Sequence, residues 1–95
     1  MTYIDIPHLP IPTGAFAGDW NPFTGHPDDL LRFLTWSRHD AAGVVVAVEG
    51  AQYADGRVDR YIRLCASSED LELTPAAARK FAAALLDAAD ALDSL

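Results

Sequence analysis

Ninety-five residues, 51% of them apolar, suffice for one small domain with a buried core and leave little for a second. The formal charge of −7 argues against ordinary phosphate-backbone binding, which needs clustered Lys and Arg. A single cysteine, Cys65, excludes an internal disulfide framework, and the longest apolar run, residues 41–48, is too short to cross a bilayer.

The N-terminus has neither the basic start nor the apolar run of a secretory signal, so a reducing cytoplasm is the expected compartment. The charge is unevenly spread. Residues 1–40 carry −3 and residues 69–95 carry −4, whereas residues 41–68 balance Glu49, Asp55 and Asp59 against Arg57, Arg60 and Arg63. The middle of the chain is neutral and both ends are acidic.

Five of the six prolines fall in the first 27 residues, with Gly14, Gly18 and Gly25 among them, which breaks any regular helix or central strand. Residues 1–26 therefore read as an extended arm, polyproline-like over Pro7–Pro12, with Phe16, Trp20 and Phe23 along a turn-rich loop. Such an arm either covers a sheet face or edge of its own domain or lies on a partner, and the aromatic loop alone does not separate the two.

Residues 25–29 form a turn or a helix start, with Pro27 suited to a first helical position and Asp28 and Asp29 to the positive end of a helix dipole. The following Leu30–Arg38 fits a short helix or a strand. A strand over residues 32–38 is favoured, because a turn-rich His39–Gly43 segment and a β-branched run, Val44–Val48, come directly after it.

The next connection sets a register. A two-residue turn at Asp55-Gly56 would mix apolar and charged residues on both faces of the hairpin. A type I turn at Ala54-Asp55 with Gly56 in the left-handed bulge position instead pairs Val48 with Ile62, Val46 with Leu64 and Val44 with Ala66. One face becomes apolar and the other carries Glu49, Tyr53, Arg57, Asp59, Tyr61 and Arg63, with Ala47 and Cys65 among them. A slip of one residue turns every side chain over, so the bulged hairpin is the expected one.

Leu71–Leu73 offers a brief fourth strand. Thr74-Pro75 then opens a helix, Thr74 as an acceptor for an unpaired amide and Pro75 at the first helical position. Its apolar residues Ala78, Phe81, Ala82, Leu85, Ala89, Leu92 and Leu95 recur at helical spacing and predict the buried face. Arg79 and Lys80 near the start, and Asp87, Asp90 and Asp93 near the end, reverse the order that the helix dipole favours. Two antiparallel copies of the helix would bring the basic residues of one beside Asp87 or Asp90 of the other. Ala77, Ala84, Ala88 and Ala91 flank the predicted core face and would permit close approach.

The valine-rich strand Val44–Val48, the hairpin Asp55-Gly56-Arg57-Val58, the strand Tyr61–Leu64 and the helix Leu73-Thr74-Pro75-Ala76-Ala77-Ala78-Arg79 through Ala84-Leu85-Leu86-Asp87-Ala88-Ala89-Asp90 together resemble a group of small uncharacterised proteins of actinobacteria and their phages. The resemblance covers just over half of the chain. It implies no activity and no site. Some members of that group have Cys and His in the N-terminal part, but this chain has no cysteine before Cys65, so no metal role is carried over.

No constellation for catalysis, a cofactor or a metal is found. His8, His26 and His39 lack the short pair spacing of zinc ligands, and Cys65 within a strand reads as a small packed residue. The expected fold is α+β: an antiparallel meander of three strands, or four with Leu71–Leu73, one C-terminal helix on one face, and the arm at residues 1–26 before a domain at 27–95. The expected function is non-enzymatic protein interaction as a homodimer, through the arm aromatics Phe16, Trp20 and Phe23 and the helix flank Ala77, Arg79, Lys80, Ala84, Asp87, Ala88, Asp90 and Ala91, with a host or regulatory protein as a further partner. The alternative is an acidic inhibitor that mimics nucleic acid through Glu69, Asp70, Glu72, Asp87, Asp90 and Asp93.

Overall fold

The structure is a computed structural model that describes residues 7–22, 30–68 and 70–95. Two strands of two residues each, β1 (Phe16–Ala17) and β2 (Asn21–Pro22), precede β3 (Leu30–Arg38), β4 (Val44–Tyr53), β5 (Val58–Ala66) and the helix α1 (Pro75–Asp93). β3, β4 and β5 form the expected meander, and Leu30–Arg38 is strand along its whole length. The turn or helix start expected at residues 25–29 lies outside the described residues, as does Phe23.

β1 and β2 both pair antiparallel with the outer edge of β3 and together fill a fourth strand position. The fold is thus α+β, a four-strand antiparallel sheet with one C-terminal helix. The fourth strand comes from the arm and not from Leu71–Leu73, which is irregular, with Leu71 and Glu72 exposed. After β5 the chain must leave the sheet to reach α1, whereas the arm meets the unpaired backbone groups of β3 directly.

The β4–β5 hairpin has the bulged register. The Gly56 amide donates to the Tyr53 carbonyl at 2.9 Å, Gly56 has φ 95°, and the Tyr53 amide donates to the Arg57 carbonyl at 2.9 Å. Val44, Val46 and Val48 consequently stand opposite Ala66, Leu64 and Ile62 on one face. This is the face that α1 covers, and Val46 and Val48 are 0% exposed. Full burial of a valine stabilises a fold by about 1.5–3 kcal/mol.

Thr74 Oγ1 accepts from the Ala77 amide at 3.2 Å with Pro75 at the helix start, and Ser94 closes the other end by donating to the Asp90 carbonyl at 2.9 Å. Phe81, Leu85 and Leu92 pack on the sheet as expected. The rest of the expected buried face is displaced: Ala78, Ala82 and Leu95 are exposed, while Ala84 and Ala88 sit in the core against the valines. Given the 3.6-residue turn, the buried stripe is rotated by roughly 60° from the one read from periodicity. Alanines at the contact let the helix axis approach the β-branched ridge of β4.

β3 contains a bulge between Thr35 and Ser37 that places Trp36 and Ser37 opposite Val48. Trp36 packs against the core cluster, and its ring lies over Gly50 of β4. Below β3's bulge the arm is tied down by a buried polar clamp. Arg32 Nε donates to Gln52 Oε1 at 2.7 Å, Arg32 donates to the Leu9 carbonyl at 2.9 Å, and Gln52 Nε2 donates to the Pro10 carbonyl at 3.0 Å. Trp36 Nε1 adds a bond to the Thr13 carbonyl at 3.1 Å, so residues 9–13 run over their own domain.

Two substitutions test this packing. A β-carbon at Gly50 would stand 1.9 Å from the Asp59 carbonyl oxygen and 3.0 Å from the Trp36 ring, so Gly50→Ala must force β4 and β5 apart. Ala88→Leu overfills the 0%-exposed contact with the valines, for which a loss of about 1–3 kcal/mol is expected. Thermal unfolding should show both, at roughly 4–8 °C per kcal/mol for a domain of this size, while Ala82→Leu on the exposed side leaves the midpoint within roughly 4 °C.

Candidate interaction surface

The helix covers one face of the sheet, and among the described residues no second helix or sheet lies on the other. On this face Phe16 of β1 stands opposite Thr35 of β3, Thr35 opposite Glu49 of β4, and Glu49 opposite Tyr61 of β5. Phe33 and Arg63 lie one step to either side of that row. Phe16 is 78% exposed, Phe33 55% and Tyr61 39%, so aromatic surface runs across the sheet from the arm to the far strand. Phe33, Glu49, Tyr61 and Arg63 line a depression of about 320 Å³ over the backbone of Leu34 and Gly50.

Ion pairs hold the polar side chains of this face in place. Arg63 Nε donates to Glu49 Oε1, and this bond raises the Arg63 pKa further. Tyr53 donates its hydroxyl to Asp59 at 2.8 Å, which raises the phenol pKa, and the Arg57 guanidinium lies 4.6 Å from the centre of the Tyr53 ring. At the β3–β4 turn, Arg38 donates to Asp40 at 2.5 Å and the Val46 amide donates to the same carboxylate at 3.1 Å. At the hairpin, the Arg57 amide and guanidinium both donate to Asp55. The pKa of Asp40 is lowered chiefly by Arg38, and that of Asp55 chiefly by the Arg57 amide.

The residues expected to form an interface are dispersed. Phe16 is on the open face, whereas Trp20 is half-buried with the Arg32 guanidinium 4.6 Å from its ring centre. Ala84 and Ala88, expected on a free helix flank, are buried against the sheet, and Ala91 packs on the same core. Ala77 is half-buried, while Arg79, Lys80, Asp87 and Asp90 are exposed. The close approach expected of Ala84, Ala88 and Ala91 is made to the chain's own valines, so these three are not free for a second helix. Glu69 lies outside the described residues.

His8 is exposed, and His39 shares a 2.9 Å hydrogen bond with Ser37. Cys65 is exposed on β5 rather than packed, because β5 is the last strand of the sheet. Among the described residues no group of three or more His, Cys, Asp or Glu side chains converges, and no helix is long and apolar enough to cross a membrane. Sequence reasoning placed Glu49, Tyr61 and Arg63 on one face but did not read them as a surface with Phe16 and Phe33. The available signal was strand parity, which extends the hairpin register into β3.

No protein-family model matches the chain, and the comparisons with curated proteins and with solved structures also give no match. The resemblance to small actinobacterial and phage proteins rests on the motifs alone.

The turn carboxylate yields a pH test. Asp40 has a folded pKa below its unfolded one, so the folded protein binds that proton less readily. Its contribution is complete above the unfolded carboxylate pKa, about 4, and fades as pH falls through the lower folded value. Thermal midpoints of the native protein and Asp40→Asn should differ by a constant amount from about pH 7 to pH 5 and converge below about pH 4. A gap that persists at low pH would contradict this account.

Proposed function

We propose that this chain is a non-enzymatic protein-interaction domain that binds protein, a second copy of itself included. The observation that carries this reading is the sheet face opposite the helix, on which Phe16, Phe33 and Tyr61 are exposed around the Arg63–Glu49 pair. Aromatic residues and arginine are the side chains enriched at the centres of protein interfaces. They project here from paired strands, so little conformational freedom is lost when they are covered. Single exposed apolar residues are ordinary on any surface, but here three aromatics share one face, and Phe33 and Tyr61 line the same depression.

The charge distribution supports the same reading. Arg38, Arg57 and Arg63 on the open face and its margins are each paired with a carboxylate, and with Asp59 added this face carries a formal charge of only −1 against −7 for the whole chain. A nearly neutral aromatic surface suits a protein partner better than a polyanion. Affinity capture from the native host with Phe16→Ser/Phe33→Ser beside the native chain tests it. The double variant should keep its circular dichroism and thermal midpoint yet lose the captured protein. Equal capture by both, or no specific capture by the native chain, would overturn the proposal.

A further inference from the structure

β5 closes the sheet on the side away from the arm. Among the described residues no strand pairs with its outer edge, and all of Val58–Ala66 except Val58 and Ile62 is exposed. The edge is nine residues long, unbroken by proline or glycine, and apolar at Ile62, Leu64 and Ala66. Edges of this kind invite strand addition, and proteins usually blunt them with charges. The charges of β5 are instead drawn inward. Arg63 is held by Glu49 of the neighbouring strand, and the Arg60 guanidinium lies 5.5 Å from the centre of the Trp36 ring. The backbone groups of the edge are left clear.

We propose that the occupant of this edge is β5 of a second copy, paired antiparallel about a twofold axis through Tyr61. This rests on the protein-interaction reading above and specifies the partner and the register. An axis perpendicular to the sheet keeps each residue on its own face, so the registers available differ by steps of one residue in the position of the axis. With the axis at Tyr61, Asp59 faces the second copy's Arg63 twice, Arg60 faces Ile62, and Val58 covers the exposed Leu64. An axis at Arg60 opposes two arginines and also sets Arg57 against Arg63. An axis at Arg63 again opposes like charges, and one at Ile62 sets Asp59 against Cys65 and Arg63 against Tyr61, with no ion pair formed. Among these registers only the one at Tyr61 matches opposite charges and opposes no like ones, which is what selects cross-strand pairs.

The distribution of charge along the chain agrees. Two copies that carry −7 each repel, but the repulsion comes from residues 1–40 and 69–95, while residues 41–68, which hold the edge, are neutral. The paired sheet would place both helices on one side. On the other it would join the two aromatic rows through Tyr61 into one continuous face.

Sedimentation analysis over a range of concentrations, with cysteine cross-linking in a Cys65→Ser background, tests the register. Residues opposed across a twofold axis have α-carbons about 4.5–5.5 Å apart, within the span of a disulfide. Tyr61→Cys should therefore cross-link to itself on mild oxidation, and Arg60→Cys and Ile62→Cys should not do so alone but should cross-link to each other when mixed. Asp59→Arg and Arg63→Asp should each weaken self-association about tenfold or more, and an equimolar mixture of the two should restore it, since each then faces its opposite charge. Circular dichroism of each variant guards against unfolding. A monomeric mass for the native chain at tens of micromolar, self-cross-linking strongest at a position other than 61, or no recovery on mixing would overturn the proposal. A monomeric mass would remove self-binding from the protein-interaction reading but would leave the capture test with Phe16 and Phe33 unchanged, so binding of another protein and pairing through β5 fail separately.

Discussion

The contact between the valine ridge of β4 and the alanines of α1 is what the remainder of the structure depends on. Val44, Val46 and Val48 are buried only because Ala84 and Ala88 bring the helix down onto them, and the helix has no other partner of comparable extent. A chain of this size has few apolar residues to spare, and this layer buries the three valines while Leu30, Leu31 and Leu34 are buried elsewhere on β3. Phe81, Leu85 and Leu92 close its margins, and Trp36 is carried into the same layer by the bulge in β3. The bulge and Gly50 act together, since the Trp36 ring occupies the space that a side chain at position 50 would need.

The orientation of every other side chain follows from that layer through strand parity. Once the valines face the helix, Glu49, Tyr61 and Arg63 must face away from it, as must Phe33 and Phe16 across the register of β3. The open face is thus a consequence of having one helix for a sheet with two sides. It is held in order by short-range ion pairs and by the sheet ladder rather than by a second layer. The arm stabilises the opposite edge, where Arg32 and Gln52 bind the Leu9 and Pro10 carbonyls and β1 and β2 satisfy the backbone of β3. Among the described residues, one edge of the sheet is covered by the chain itself and the other is not. This asymmetry, more than any single residue, is the ground for the association proposed through β5.

The β-branched run Val44–Val48 ending at Glu49 and the alternating Tyr61–Leu64, with Gly56 between them, determined the hairpin and its register from sequence alone, because, of the two turn alignments, only one separates apolar from charged residues. Thr74 and Pro75 likewise determined where the helix begins, through local hydrogen bonding that needs no tertiary contact. The helix's rotation was decided only by tertiary structure. Alanine occurs all around α1, and alanine fits both a core and a surface, so periodicity cannot distinguish Ala84 and Ala88 from Ala78 and Ala82; the valine ridge makes the choice by admitting only the small side chains at its crest. The arm's course was also beyond the sequence, since prolines and glycines exclude regular structure without saying where the chain lies, and Arg32 and Gln52 come from different strands that only the folded sheet sets side by side. The exposure of Cys65 and of the β5 edge is a matter of strand order, which no local pattern records.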